Sequence, residues 1–257
     1  MKFLFSDVDG TLVHKTCGQK HIIQVPGENR YISRYAINSL EEIRRKLPVA
    51  IITGRRLSGY ERLSAAIPHD YAIIEHGCVI LDRGKPDIEW ASRLKEAVGI
   101  FGCYNGLLWD YAKSLEREGY KTDYDGRLAS VRVFLDKPDN LNEEEKLGLE
   151  TRVVKEAGHL LRTTRNQEML DIIPKAGGKI NASNFILSRR VLEINDAIAL
   201  GDDVNDEDLL LEAGFPMCPG NAVCSIKDIV KKRNGYVSVS NDHEGTIDML
   251  NEVFKHV

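Results

Sequence analysis

The sequence predicts an α/β protein in which a parallel sheet is interrupted by a smaller inserted domain. Short apolar runs alternate with helical patterns at the start of the chain and again after residue 180, as in successive βα units. Residues 84–171 differ, with long charged amphipathic patterns. Two apolar runs end in aspartates, and ligands of open α/β sheets collect beyond the carboxyl ends of strands. We therefore expect a Rossmann-like core with an inserted α+β domain.

The elements of the core follow from apolar runs and helical spacing. The first block predicts strands at residues 2–6, 49–52 and 71–74, with helices at 34–46 and 59–66 between them. The last block predicts helices at 180–190, 206–213 and 245–254, a strand at 197–200, and shorter strand units at 215–218 and 236–239. Because helices separate the strands, we expect a parallel sheet.

The segment between these blocks predicts helices at residues 106–118 and 142–157 and strands at 130–136, 160–164 and 169–173. Turn-forming residues flank it, from Gly84 to Pro86 at one end and from Pro174 to Gly178 at the other. The predicted domains are a core of residues 1–83 and 172–257 and an insert of residues 84–171.

Composition argues against two classes of partner. The net charge is −4, so the basic surface of a nucleic-acid binder is missing. No apolar stretch approaches the ~20 residues of a membrane helix. Five cysteines without a Cys-x-x-Cys pair indicate reduced thiols. We expect a cytoplasmic monomer or small homo-oligomer that acts on a small molecule and binds neither nucleic acid nor membrane.

The first strand ends in Asp7, Asp9, Gly10 and Thr11, which places two carboxylates beyond its carboxyl end. Gly10 tolerates the unusual backbone angles of a chain that leaves the sheet in a tight turn. This placement favours a binding site. A solvated turn rich in aspartate has the same residues, so this motif alone leaves both interpretations open.

Thr53, Gly54 and Arg55 follow another predicted strand. A hydroxyl and backbone N–H groups at such a position can donate hydrogen bonds to phosphoryl oxygens, although Thr53 is equally suited to begin a helix. Lys179 lies at a predicted helix start, where a cation opposes the helix dipole, so a phosphate-binding role is favoured. Lys175 is the competing lysine.

A second acidic cluster, Asp202, Asp203 and Asp206, follows the predicted strand at residues 197–200. Carboxylates gathered near Asp7 and Asp9 would repel one another unless a hard cation were bound. Mg²⁺ suits a site of few carboxylates because it keeps waters and binds substrate phosphate. The alternative is a helix cap with acids placed to favour the dipole.

Together these clusters resemble, in order, the four motifs of the haloacid dehalogenase superfamily. The matching segments are Asp7-Val-Asp-Gly-Thr11, Thr53-Gly-Arg55, Lys179 and Gly201-Asp-Asp-Val-Asn-Asp206. An insert between the second and third motifs is similar to the type II cap of that superfamily, in the subclass that holds sugar phosphatases and Cof-like hydrolases. Glu75-His-Gly77, with Trp90 downstream, resembles a segment of trehalose-phosphate phosphatases.

The resemblance implies a Mg²⁺-dependent phosphatase that hydrolyses a small phosphomonoester, a sugar phosphate above all. Asp7 would attack phosphorus and form an aspartyl-phosphate, and Asp9 would act as general acid and then general base. The metal would be held by Asp7, by the backbone carbonyl of Asp9 and by Asp202, with Asp206 completing the shell through water or orienting Lys179. Groups expected to bind the substrate are Gly10, Thr11, Thr53, Gly54, Arg55, Lys179 and Arg132.

Substrate choice is expected to lie in the insert. Its polar candidates, which are also explained as exposed residues on strands, are Arg132, Arg162, Arg165, Asn166 and Gln167. Two other functions stay open. A phosphosugar mutase of the same superfamily keeps both aspartates of the first motif, and a phosphosugar-binding sensor would have lost turnover.

The resemblance to the superfamily also implies that the segment after the first motif, residues 14–30, forms a flap at the mouth of the site. His14, Cys17 and His21 within it loosely resemble a zinc set. A fourth ligand is missing and the spacing matches no standard finger, so the flap is the favoured interpretation.

Overall fold

The computed structural model describes residues 1–16, 22–82, 84–135, 141–165 and 169–257. Within them the strands are β1 (Phe3–Asp7), β2 (Ile22–Gln24), β3 (Tyr31–Ser33), β4 (Val49–Ile52), β5 (Tyr71–Ile74), β6 (Val79–Asp82), β7 (Lys85–Pro86), β8 (Lys121–Asp123), β9 (Val131–Phe134), β10 (Leu161–Arg165), β11 (Met169–Pro174), β12 (Ala197–Leu200), β13 (Phe215–Cys218) and β14 (Tyr236–Val237).

The α-helices of the described residues are α1 (Arg34–Arg44), α2 (Leu57–Ser64), α3 (Ile88–Val98), α4 (Leu107–Arg117), α5 (Glu143–Ala157), α6 (Lys179–Ser188), α7 (Glu207–Glu212), α8 (Cys224–Lys232) and α9 (Asp242–Val253). Short 3-10 turns lie at Glu75–Gly77, Ile194–Asp196 and Val204–Asp206. Helices predicted in the first and last blocks and at 106–118 and 142–157 are present, with ends that differ by a few residues.

The larger sheet has the strand order β14-β13-β12-β1-β4-β5-β6-β7. Its strands pair in parallel from β14 to β5, whereas β6 and β7 pair antiparallel. All residues of β1, β4 and β12 are buried, as expected for strands covered on both faces of a parallel sheet. The predicted α/β class and parallel sheet are confirmed.

The smaller sheet has the order β10-β11-β9-β8 and is antiparallel. Helices α4 and α5 pack against it, and Trp109, Leu149 and Val153 are buried. Strand β7 still pairs in the larger sheet, and β11 continues in the smaller sheet to Pro174. The division into a core of residues 1–83 and 172–257 and an insert of residues 84–171 stays a prediction.

Several elements were not predicted. Strands β2 and β3 form a hairpin that begins within the expected flap and continues beyond residue 30, where the flap was expected to end. Strands β7 and β8 have only two and three residues, too few to show a periodicity. Helix α3 does carry a signal that sequence reasoning could have used. Asp87 caps it by accepting a hydrogen bond from Trp90 N at 2.8 Å, and an aspartate before an apolar helical pattern is a start signal.

In the described residues, none of the helices combines the length and apolar character that a membrane span requires.

Helix α5 begins with a reciprocal cap, which generates a prediction about stability. The Asn142 side chain accepts from Glu145 N at 3.0 Å, and the Glu145 carboxylate accepts from Asn142 N at 2.8 Å. Asn142→Ala should lower the free energy of unfolding by about 1 kcal/mol. Asn142→Asp keeps an acceptor and should be nearly neutral. Urea unfolding measures both variants, and an equal loss in the two would contradict the capping role.

Candidate active site

Three neighbouring strands of the larger sheet end at the same level. In the parallel register Asp7 lies beside Ile52, and Ser6 lies beside Leu200. The residues that follow β4 and β12, from Thr53 and from Gly201, therefore begin close to Asp7. The predicted convergence of the motifs on one edge of the sheet is a consequence of this register.

The buried ammonium of Lys179 joins the motifs. Its Nζ donates to Asp7 Oδ1 at 2.7 Å, to Asn205 Oδ1 at 2.9 Å and to Asp206 Oδ1 at 2.5 Å. Lys179 is the first residue of α6 and only 1% exposed. The competing Lys175 is exposed and donates to the carbonyl of Gly158 at 3.1 Å. The geometry therefore brings Lys179 to the carboxylates.

Carboxylate oxygens of Asp7, Asp202 and Asp206 all lie within 4.8 Å of one another. The turn at Gly10 makes room for them: φ is +91°, and a Cβ there would lie 2.1 Å from Asp202 Oδ2. Thr11 Oγ1 donates to Asp202 Oδ1 at 2.9 Å. The second oxygen of Asp206 accepts from the backbone N–H of Asp202 at 3.1 Å. The three acids are thus held together by the fold.

Holding these acids together has an electrostatic cost. Burial, and then the charge of Asp206, raises the pKa of Asp7 well above its usual value and that of Asp202 to about 7. Burial opposes the charge of Lys179, but Asp206 and Asp7 outweigh it and raise the pKa of that ammonium. A divalent cation among the oxygens would relieve the repulsion, so the donor set fits a metal that prefers oxygen ligands.

Asp9 is not part of that three-carboxylate cluster among the described residues. Arg55 donates two hydrogen bonds to its carboxylate, from Nε to Oδ2 at 2.7 Å and from Nη2 to Oδ1 at 2.6 Å. Arg55 Nη1 contacts both oxygens of Glu28 at 2.6 Å, and Glu28 also accepts from Arg62 at 2.8 Å. A metal role for Asp9 thus rests on its backbone carbonyl, and the guanidinium of Arg55, predicted to bind substrate, is engaged by two carboxylates.

Thr53 and Gly54 form a close turn against His76. The Thr53 carbonyl accepts from His76 N at 3.0 Å, and Thr53 Oγ1 accepts from Arg55 N at 3.2 Å. A Cβ on Gly54 would lie 2.3 Å from the His76 ring. From the sequence, His76 is noted only within the segment Glu75-His-Gly77. No local sequence pattern predicts that its ring packs on the second motif.

A cavity of about 700 Å³ opens above this edge. It is lined by Asp7, Asp9, Gly10, Thr53, Gly54, Arg55, Asp202 and, from the smaller sheet, Arg132. Arg162 and Arg165 line a second cavity of about 670 Å³ that shares His76, Asp203, Asn205 and Val223 with the first. The predicted candidates Asn166 and Gln167 lie outside the described residues.

His14 is buried beside the same cavity, with Nε2 2.8 Å from Thr246 Oγ1 and its ring 4.7 Å from that of His243. Burial and His243 lower its pKa to about 4. Thr246 in turn donates to the carbonyl of Thr11 at 2.5 Å, so His14 supports the first motif. Cys17 and His21 lie outside the described residues, and the zinc alternative stays untested.

The fold and the site define a phosphoric monoester hydrolase of the haloacid dehalogenase superfamily. Residues 1–251 match the family model described as sucrose-6F-phosphate phosphohydrolase. The chain belongs to this family, which confirms the resemblance of its four motifs.

Known proteins share sequence or fold with this chain. Phosphoglycolate phosphatase of Methanosarcina acetivorans is 27% identical over 97% of this chain and 96% of that protein. A stress response protein of Bacillus subtilis is 32% identical over 35% of this chain, which spans only 30% of that protein. The sucrose-phosphatase structure from Synechocystis sp. PCC6803 has a TM-score of 0.70 at 18% identity, covering 99% and 97% of the two chains. A superfamily phosphatase from Bacteroides thetaiotaomicron gives 0.70 at 17%, covering 98% and 94%. These structures show the shared fold.

The raised pKa of Asp202 predicts how the metal-free protein responds to pH. A carboxyl whose pKa is higher in the folded chain favours folding when protonated, so stability should fall as pH rises from about 4 to about 7. Asp202→Asn should reduce that slope, whereas Asp110→Asn, which changes an exposed carboxylate of α4, should retain it. Thermal unfolding in a chelator across this range measures the slope. An unchanged slope in Asp202→Asn would contradict the shift.

Proposed function

We propose that the protein is a Mg²⁺-dependent phosphatase that hydrolyses a small phosphomonoester through an aspartyl-phosphate on Asp7. The observation that carries this proposal is the contact of Lys179 with Asp7 beside a cluster of three carboxylate side chains. Such a site supplies a nucleophile, a fixed cation and a place for a second cation. A phosphate dianion can approach a carboxylate only where positive charge offsets both.

The reaction takes two steps. An oxygen of Asp7 attacks phosphorus, the bond from phosphorus to the leaving oxygen breaks, and Asp9 donates the proton that the departing alcohol needs. Water then attacks the same phosphorus, its proton passes to Asp9, and the Asp7 carboxylate leaves. Lys179 holds Oδ1 of Asp7 throughout, which leaves the other oxygen for the attack. Arg55 holds Asp9 at the mouth of the cavity between turnovers.

Asp7, Asp202 and the backbone carbonyl of Asp9 would hold Mg²⁺, with Asp206 as the support of Lys179 and a ligand through water. When bound, the ion neutralises charge on the phosphoryl group. Phosphoryl oxygens would accept hydrogen bonds from Thr53 and from the backbone N–H groups of the turns at Gly10 and Gly54. Lys179, whose three N–H groups donate to Asp7, Asn205 and Asp206, would stabilise these oxygens through its charge. The Thr11 hydroxyl already donates to Asp202, so its share in binding would come from its backbone.

A sugar phosphate is the first candidate substrate, supported by the family description. A phosphorylated hydroxy acid is the second. The Methanosarcina relative, aligned over nearly its whole length, is named a phosphoglycolate phosphatase. Arg30 and Arg132 line the cavity, where a guanidinium suits an anionic leaving group. A cytoplasmic location and a monomeric or small homo-oligomeric state stay predictions.

Replacing the nucleophile tests the proposal. Asp7→Asn should abolish Mg²⁺-dependent release of phosphate from p-nitrophenyl phosphate, because an amide cannot form the acyl phosphate. Asp196→Asn, which removes a carboxylate just before β12 at the opposite edge of the sheet, should keep the activity. Wild-type activity should vanish in a chelator and return with Mg²⁺.

Other outcomes of that assay separate the alternatives. Substantial turnover by Asp7→Asn would rule out the assigned nucleophile. A mutase would release little phosphate and need a bisphosphate primer, and a sensor would release none under any condition. A panel of phosphorylated sugars, polyols, hydroxy acids and nucleotides then ranks the substrates.

A further inference from the structure

Three hydrogen-bonded side chains connect the carboxyl edge of the larger sheet, where the motifs lie, to the smaller sheet. His76 Nε2 lies 2.7 Å from Asp171 Oδ2. Asp171 also accepts two hydrogen bonds from Arg132, from Nε to Oδ1 at 2.8 Å and from Nη2 to Oδ2 at 2.8 Å. Asp171 and Arg132 are opposite one another on β11 and β9. A carboxylate gripped by a guanidinium in this paired fashion fixes the orientation of both groups.

His76 is itself held firmly. Its N–H donates to the Thr53 carbonyl, its ring packs on Gly54, and its φ is +57°. The preceding Glu75 also has a positive φ, +50°. Glu75 is buried, and its carboxylate accepts from the N–H of residues 128 and 129 and from the hydroxyl of residue 130. Two strained residues in succession persist only where surrounding contacts fix them, which is typical of functional positions.

The three side chains differ in their state of ionisation. Burial lowers the pKa of His76 despite Asp171, which favours the neutral imidazole, and Nε2 is the ring nitrogen that faces the Asp171 carboxylate. Burial opposes the charge of Asp171, but His76 and Arg132 together hold its pKa far below the usual value. The carboxylate is thus ionised and balances the guanidinium, which cannot lose its proton.

Arg132 presents an unused donor to the cavity that holds Asp7 and Asp9. Its Nε and Nη2 face Asp171, and within the described residues Nη1 donates to no protein acceptor. Arg55, on the same cavity, is occupied by Asp9 and Glu28. Arg132 is therefore the better placed of these two cations to bind an anion on the substrate.

We propose that His76 and Asp171 are positioning residues that hold Arg132 as the binding group for a carboxylate on the leaving group. This rests on the proposed phosphatase function and sharpens it: of the two candidate substrate classes, Arg132 favours the second, a phosphorylated hydroxy acid, sugar acids included. The unused Nη1 of the guanidinium can donate a charge-assisted hydrogen bond to a carboxylate, and its bond to a neutral hydroxyl would be weaker.

Two probes that differ in one group test this directly. 3-Phosphoglycerate and glycerol 3-phosphate differ only in a carboxylate against a CH₂OH group. Calorimetry with Mg²⁺ on full-length Asp7→Asn, which should not turn over, measures binding alone. The carboxylate should bind about 10- to 100-fold more tightly, the range of a charge-assisted hydrogen bond. Adding Arg132→Gln should remove the preference and leave the affinity for glycerol 3-phosphate unchanged.

The positioning residues are tested in the same background. Asp171→Asn and His76→Ala should each weaken the preference for 3-phosphoglycerate. His76→Gln restores an N–H donor at a similar reach, and it has the same Cβ and backbone constraint as His76→Ala, so it should recover part of the preference. Thermal unfolding confirms that each variant is folded.

If Asp171 or His76 had only a structural role, replacing it would weaken the binding of both ligands equally. That result would overturn the positioning role. Equal binding of the two probes before Arg132 is changed, or a preference that survives Arg132→Gln, would overturn the carboxylate assignment. The phosphatase function itself is tested separately, by wild-type turnover of p-nitrophenyl phosphate. An inactive enzyme with selective binding would contradict the phosphatase function and leave the specificity of the site standing.

Discussion

The contact between the ammonium of Lys179 and the carboxylates of Asp7 and Asp206 is the interaction on which the site depends. Burying these charges is costly unless they are paired, and one ammonium does not balance three neighbouring acids. Burial first, and then the charge of Asp206, raise the pKa values of Asp7 and Asp202. In the proposed function, the same imbalance would draw a further cation to the site and, with it, a phosphate dianion.

The parallel sheet makes this arrangement possible. Strands β1, β4 and β12 lie side by side and end together, so short turns deliver every charged group to one edge. Because Gly10 and Gly54 have no side chain, Asp202 and the His76 ring can approach these turns closely. On the other side of the cavity, Arg132 of the smaller sheet is linked to this edge through Asp171 and His76, and we propose that it sets the specificity.

Sequence reasoning identified the residues whose position follows from local pattern. Asp7, Thr53 and Asp202 each follow a buried apolar run, and such runs predict both a strand and the edge at which it ends. Glu28 and Asp171 gave no such signal. Glu28 meets Arg55 across 27 positions and Asp171 meets His76 across 95, and such pairings depend on how a hairpin and a second sheet pack on the first. Arg55 was expected at the phosphate, but the hairpin supplies a carboxylate that engages it.

The central claim is that the phosphoryl group is bound covalently to Asp7 between two steps. Asp9 acts as the general acid in the first step and as the general base in the second. This claim is tested most directly by intact-mass and peptide mass spectrometry of Asp9→Asn, quenched in acid after mixing with p-nitrophenyl phosphate and Mg²⁺. That leaving group needs little acid help, so the first step should proceed and the second should stall without a general base. The predicted result is the mass of one added phosphoryl group in the peptide that contains Asp7. Turnover with no phosphorylated protein, or a phosphoryl group on another residue, would contradict the claim.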